Sequence, residues 1–162
     1  MRGTYEEIAE YVSGVAALLE RFGATLRLPF GTDLELLEDP SGQLSFELLG
    51  DLPDGADPAR SEVALREAFH PVGVGLYERT LYEYELVDRE RDYRRALHLH
   101  FPEWFHRRFL VVVHEHCERP VGHTECEHYE GSPIKDAYAG VVALMGIWTG
   151  PTPVCSELRC LG

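Results

Sequence analysis

The side chains with the most chemistry in this chain are crowded into one stretch. Val111-Val112-Val113-His114-Glu115-His116-Cys117 runs from an apolar, strand-like segment into two histidines and a cysteine. A turn bearing Pro120 and Gly122 follows, and His123-Thr124-Glu125-Cys126-Glu127-His128 then brings a second cysteine and two more histidines. Imidazole nitrogen and thiolate sulfur at this density form the donor set of a Zn²⁺ site. On a strand, His114 and His116 point to one face, because side chains alternate, and can chelate one ion together. In Leu97-His98-Leu99-His100-Phe101, His98 and His100 also share a face. With no cysteine beside them they read as exposed histidines on a polar face. The four cysteines, Cys117, Cys126, Cys155 and Cys160, are even in number, so disulfides are the alternative. In a cytosolic chain with histidines alongside, metal binding is the stronger reading.

The elements that must position these groups can be read from periodicity. Thr4-Tyr5-Glu6-Glu7 is a capping box, and Ile8, Tyr11, Val12, Val15, Leu19 and Phe22 follow at helical spacing until Gly23 stops the helix. Its apolar stripe reads as core rather than as a dimer face. Leu26, Leu28 and Phe30 alternate as a strand, residues 31–33 turn, and residues 34–38 and 44–49 flank a turn at Asp39-Pro40-Ser41-Gly42. That pattern predicts a three-stranded antiparallel meander. Residues 50–60 form a polar loop, and Ser61 caps a short helix running to Phe69. Leu81, Glu83 and Glu85 alternate against Tyr82, Tyr84 and Leu86, which predicts a strand with an aromatic face. Residues 88–95 fit a helix or a long turn.

Ser132 and Pro133 suit the N-cap and first position of an apolar helix carrying Ile134, Ala137, Tyr138, Val141, Leu144, Met145 and Trp148, ended by Gly150-Pro151. Its small residues, Ala137, Gly140, Ala143 and Gly146, permit close approach by a neighbour. A closing strand is expected from the alternation between Val154 and Leu161, packed beside this helix. The sum is a single α+β domain over residues 1–162, an antiparallel sheet packed against amphipathic helices.

Composition excludes some partners. With 28 acidic against 15 basic residues the net charge is −13, a field that repels nucleic acid. The segment Arg89-Glu90-Arg91-Asp92-Tyr93-Arg94-Arg95 alternates its charges and reads as a solvated face. No apolar run approaches the ~20 residues that span a bilayer. Lacking a basic-then-apolar leader, the chain is expected in the cytoplasm.

The last third resembles the 4-vinyl reductase domain, a family related to subunits of vesicle transport-particle complexes and to haem-nitric-oxide-binding domains. The matching residues are Cys126, the helix over residues 133–149 with Gly140, and Ser156-Glu157-Leu158-Arg159-Cys160-Leu161-Gly162. The likeness covers residues 109–162, the metal-binding portion. It implies a small-molecule sensing module whose Zn²⁺ is held by cysteines and by the Glu of Glu-x-x-Cys, here Glu157 and Cys160, with Cys126 as the early cysteine. The final cysteine of that pattern is missing, so Cys117, His128 or another upstream histidine such as His116 must complete the set.

The leading expectation is therefore a small-molecule binding or sensory module with a structural Zn²⁺ and a small apolar or aromatic ligand. One alternative is a zinc-dependent hydrolase or lyase with an open metal site, in which Glu115, Glu125 or Glu127 moves the proton. The other is an assembly subunit, with the first helix as a homodimer surface.

Overall fold

A computed structural model of the chain describes residues 1–27, 36–53, 61–99 and 113–161. The expectations for Leu28, Phe30, residues 31–33, the loop at 54–60 and His100 lie outside these residues. Among the described residues, β1 (Arg2–Gly3), α1 (Tyr5–Arg21), β2 (Thr25–Arg27), β3 (Leu37–Glu38), β4 (Leu44–Asp51), β5 (Glu62–Gly73), β6 (Leu76–Asp88), β7 (Tyr93–Leu99), β8 (Val113–Glu118), β9 (Tyr129–Glu130) and α2 (Ala137–Thr149) follow in order. The strands form one antiparallel sheet in the order β2-β4-β5-β6-β7-β8-β9, with β1 on β6 and β3 on β4. This is the mixed α+β, single-domain architecture that the sequence implies. No helix among the described residues is long and apolar enough to cross a membrane.

The capping box forms as expected: the Thr4 hydroxyl accepts from the Glu7 amide and the Glu7 carboxylate from the Thr4 amide. Ile8, Tyr11, Val12, Val15, Ala16 and Leu19 are buried, so the stripe of α1 faces the chain's own core. That core lies between the helices and one face of the sheet, where Phe46, Leu65, Tyr82, Tyr84 and Leu86 meet Val141 and Leu144. The tyrosines of β6 therefore pack rather than wall a cavity. Tyr84 lies so close to Gly140 that an added Cβ would stand 2.4 Å from its ring.

Four local expectations are corrected. Residues 61–69 form a strand, not a helix, because Val63, Leu65 and Glu67 bury one face while β4 and β6 pair along both edges. Ser61 caps no helix; its hydroxyl accepts from the Arg89 amide. β2 and β3 both pair with β4, so the three do not form a sequential meander. The second helix begins at Ala137 under an Asp136 cap, since the residues before it are held to the sheet. Arg79 donates to the carbonyls of Ile134 and Lys135, and the Ile134 amide donates to the Tyr82 hydroxyl. The closing segment is a short 3₁₀ turn at Cys155–Glu157 with a single bridge between Tyr129 and Cys160. Residues 89–92 are a tight turn with Asp92 at φ 49°, from which β7 departs.

Candidate metal centre

The site grows out of strand alternation and register. On β7 and β8, Arg95, Leu97, Glu115 and Cys117 point to the helix-covered face. His98, His114 and His116 point to the other. Register places His98 directly across from His114 and Ala96 across from His116. On the far side, His114 pairs with Glu130 and Glu115 with Tyr129. One more step along that ladder brings His128 beside His116. Two strands and the residue before β9 thus bring four imidazoles to one patch.

The spacing is close. Ring centroids are 5.3 Å apart for His98 and His114, 4.8 Å for His98 and His116, and 5.0 Å for His114 and His116. His128 lies 5.1 Å from His114 and 5.0 Å from His116. The ligand nitrogens of His98, His114 and His116 lie within 4.8 Å of one another. His114 is fully buried, His128 nearly so, and His98 and His116 half-buried. Burial, then His128 and Arg94, holds the His116 imidazole below its ordinary range, against a hydrogen bond to the Glu127 carbonyl. A neutral ring whose other nitrogen is oriented by a carbonyl is what a metal-binding histidine requires.

Charged side chains frame this patch. Arg94 donates to both carboxylate oxygens of Glu85, at 2.7 and 3.2 Å, and to Glu118. Arg66 bridges Glu47 and Glu83 at 2.8 and 3.1 Å. Burial pushes Glu118 up, but the Gly122 amide and Arg94 together hold it below the usual carboxylate range. A groove of about 290 Å³ opens among Glu47, Arg66, Glu83, Glu85, Arg94 and His98.

The expected sulfur ligands are elsewhere engaged. Cys117 is bonded to Cys155 and Cys126 to Cys160, so Cys117, Cys126 and Cys160 are corrected from thiolate ligands to disulfide sulfurs. The reason is geometric: the closing segment returns to β8 and β9 and sets their Cα atoms 5.5 and 5.9 Å apart, within disulfide reach. Glu157 lies exposed on the 3₁₀ turn, outside the one group of three or more close donors found among the described residues. Glu115 faces away from the histidines and pairs with Arg95, so it cannot serve an ion held by His114 and His116. Of the expected ligands, the structure brings together His114, His116 and His128, and adds His98; the close donor group is His98, His114 and His116.

A second polar cluster lies on the opposite face, and nothing in the sequence patterning singles it out. Glu67 is buried; its Oε1 accepts from Arg79 at 2.6 Å, from Tyr11 at 3.1 Å and from Tyr84. The Tyr11 hydroxyl also accepts from the Ala137 amide at the start of α2. The cluster joins both helices to the sheet. Comparison of the chain with protein families, curated proteins and solved structures finds no match.

Proposed function

We propose that this protein is a metal-binding module that holds one divalent ion of the zinc class on the open face of its sheet, through His98, His114 and His116, with His128 beside the last two. One observation carries the reading. Zn–N bonds of about 2.0–2.1 Å at tetrahedral angles put ring centroids about 3.2 Å from the ion and about 5.2 Å from each other. The separations among His98, His114 and His116, 4.8 to 5.3 Å, lie near that value, and their ligand nitrogens lie within 4.8 Å of one another.

A nitrogen from neighbouring His128 as a fourth donor favours a structural or sensory ion over a catalytic one, since hydrolytic zinc keeps a position for water. The groove beside His98 is lined by charge, which supports a small polar ligand rather than an apolar or aromatic one. Persistent disulfides belong to oxidising compartments, so a cytoplasmic location requires that Cys117–Cys155 and Cys126–Cys160 form transiently.

The test is titration of chelator-stripped protein with Zn²⁺, read by calorimetry and elemental analysis. One tightly held ion per chain is expected. Absence of stoichiometric binding, or binding unchanged when His114 and His116 are both replaced by Ala, would overturn the assignment.

A further inference from the structure

The two disulfides differ in what surrounds each sulfur. In Cys117–Cys155, Cys117 is 1% exposed, whereas Cys155 is only half-buried, at the start of the 3₁₀ turn. Both line a cleft of about 120 Å³, together with Arg119, His123, Glu125 and Ser156. Beneath the cleft, Cys117 faces a donor. The buried Tyr93 hydroxyl lies 3.6 Å from its sulfur. Burial pushes that phenol up, so it keeps its proton and donates. Directly across the β7–β8 ladder from Cys117 stands Arg95, buried. Its Nη2 donates to Glu115, while its Nε and Nη1 meet no acceptor among the described residues. Cys126–Cys160 is the reverse case. Cys160 is exposed, but the Cys126 sulfur lies 2.9 Å from the His128 carbonyl oxygen, an acceptor.

We infer that Cys117–Cys155 is a thiol–disulfide exchange site for a small zwitterionic thiol, with Cys155 as the sulfur attacked and Cys117 as the sulfur that leaves. The cleft offers such a molecule polar walls of both signs in Arg119 and Glu125. The thiol gives up its proton, and the thiolate attacks Cys155 Sγ, the more accessible sulfur of the pair. As the new S–S bond forms, the bond to Cys117 breaks and its electron pair passes to Cys117 Sγ. The charge formed there is met by the Tyr93 hydroxyl, with the Arg95 cation across the ladder, and the sulfur then takes up a proton. A second thiol attacks the mixed disulfide, leaves as a small disulfide with the first, and frees the Cys155 thiol. Two electrons thus pass from two small thiols to the protein. At Cys126 the same departing charge would face a carbonyl oxygen.

Opening this bond leaves the neighbouring elements tied. Cys117 stays in the ladder of six pairs between β7 and β8. The closing segment stays joined through Cys160 to Cys126, and through the Arg159 carbonyl and the Leu161 amide to residues 128–130. Exchange at Cys155 therefore proceeds on a folded chain.

The test uses the oxidised, full-length protein in excess L-cysteine, sampled over time, trapped with N-ethylmaleimide and mapped by peptide mass spectrometry. The first product is expected to carry cysteine on Cys155 and maleimide on Cys117. Tyr93→Phe keeps the ring and loses the donor, so opening at Cys155 should slow about tenfold, the loss of one hydrogen bond to a charged sulfur. Opening of Cys126–Cys160 should be slower than at Cys155 in the wild type and unchanged by the variant. It serves as the internal reference, because a general loosening of the fold would speed both bonds. The wild-type map identifies the attacked sulfur even where the variant is unstable. A first adduct on Cys117, Cys126 or Cys160 would overturn the proposal. So would two bonds that open together, a Cys117–Cys155 bond that opens only in denaturing urea, or equal rates at Cys155 in wild type and Tyr93→Phe.

Discussion

Two polar clusters lie on opposite faces of one sheet, and they are built on opposite plans. Around Glu67 the chain assembles a carboxylate, the Arg79 guanidinium and two phenols, and a single carboxylate oxygen collects all three donors. Arg79 spends its other N–H groups on Tyr84 and on the carbonyls of Ile134 and Lys135. Opposite charges and three donors converging on Glu67 Oε1 hold this cluster together, and its bonds run to both helices. The other cluster has four groups of one kind, and any two that gain a proton repel each other. On the reading proposed above, its complement is a cation held by neutral rings. The difference separates a polar cluster that builds the fold from one proposed to bind an ion.

The comparison breaks most sharply at Glu67. Replacing Glu67 with Ala leaves Arg79, itself only 8% exposed, buried without its counter-charge. The expected loss is about 3–5 kcal/mol of stability, measured by urea unfolding, with the number of metal ions per folded chain unchanged. A metal loss of the same size as the stability loss would mean that the clusters are not separable. His114→Ala is the mirror test. Removing a ligand outright should lower zinc affinity by more than the roughly 10–100-fold cost of losing an outer-shell partner. Metal-free His114→Ala protein should unfold close to the metal-free wild type. If it unfolds much earlier instead, His114 serves packing, and the patch belongs with the Glu67 cluster.

How much of this was legible follows from the range of the interactions. The first helix is written in a four-residue box and a 3.6-residue stripe, all local, and it forms as read. Alternation on β6 and β8 is also local, so the shared face of His114 and His116 could be read directly. Residues 61–69 misled because Ala, Leu, Arg and Glu favour a helix, while pairing on both edges outweighs that preference. His98 is set aside by its own segment and recruited by register with β8, which spacing along one strand does not encode. The matched alternation of Leu97-His98-Leu99 and Val113-His114-Glu115 was the usable signal. The disulfides join residues 38 and 34 positions apart, a distance over which sequence proximity to histidine says nothing about the sulfur's true partner.

Gly140 sharpens the account of the helix-covered face. Its small size looked like room for a partner, yet the room is taken by Tyr84. Gly140→Ala gains about 1 kcal/mol in helix propensity. It also forces a methyl to 2.4 Å from a ring whose hydroxyl is pinned by Glu67 and Arg79. Overpacking of this kind costs about 1–3 kcal/mol, so the net change should be a lower urea midpoint. A raised midpoint would show the ring free to move, and with it the Glu67 cluster less rigid than its bonds suggest.

The smallest effect is expected from pH on the metal-free protein. His116 is held below its ordinary value of 6.5 in the fold. The unfolded chain therefore takes up the proton first as pH falls, and each step of acidification through that range favours unfolding. Stability contributed by the neutral ring is fully present above the ordinary histidine value and declines as pH drops toward the lowered one. Melting of the chelated protein at neutral pH and at about pH 5, compared with His116→Gln, measures this. The variant should show a flatter pH dependence. If wild type and variant decline in parallel, the His116 ring gains and loses its proton alike in folded and unfolded chains, and its burial has no bearing on the acid sensitivity of the patch.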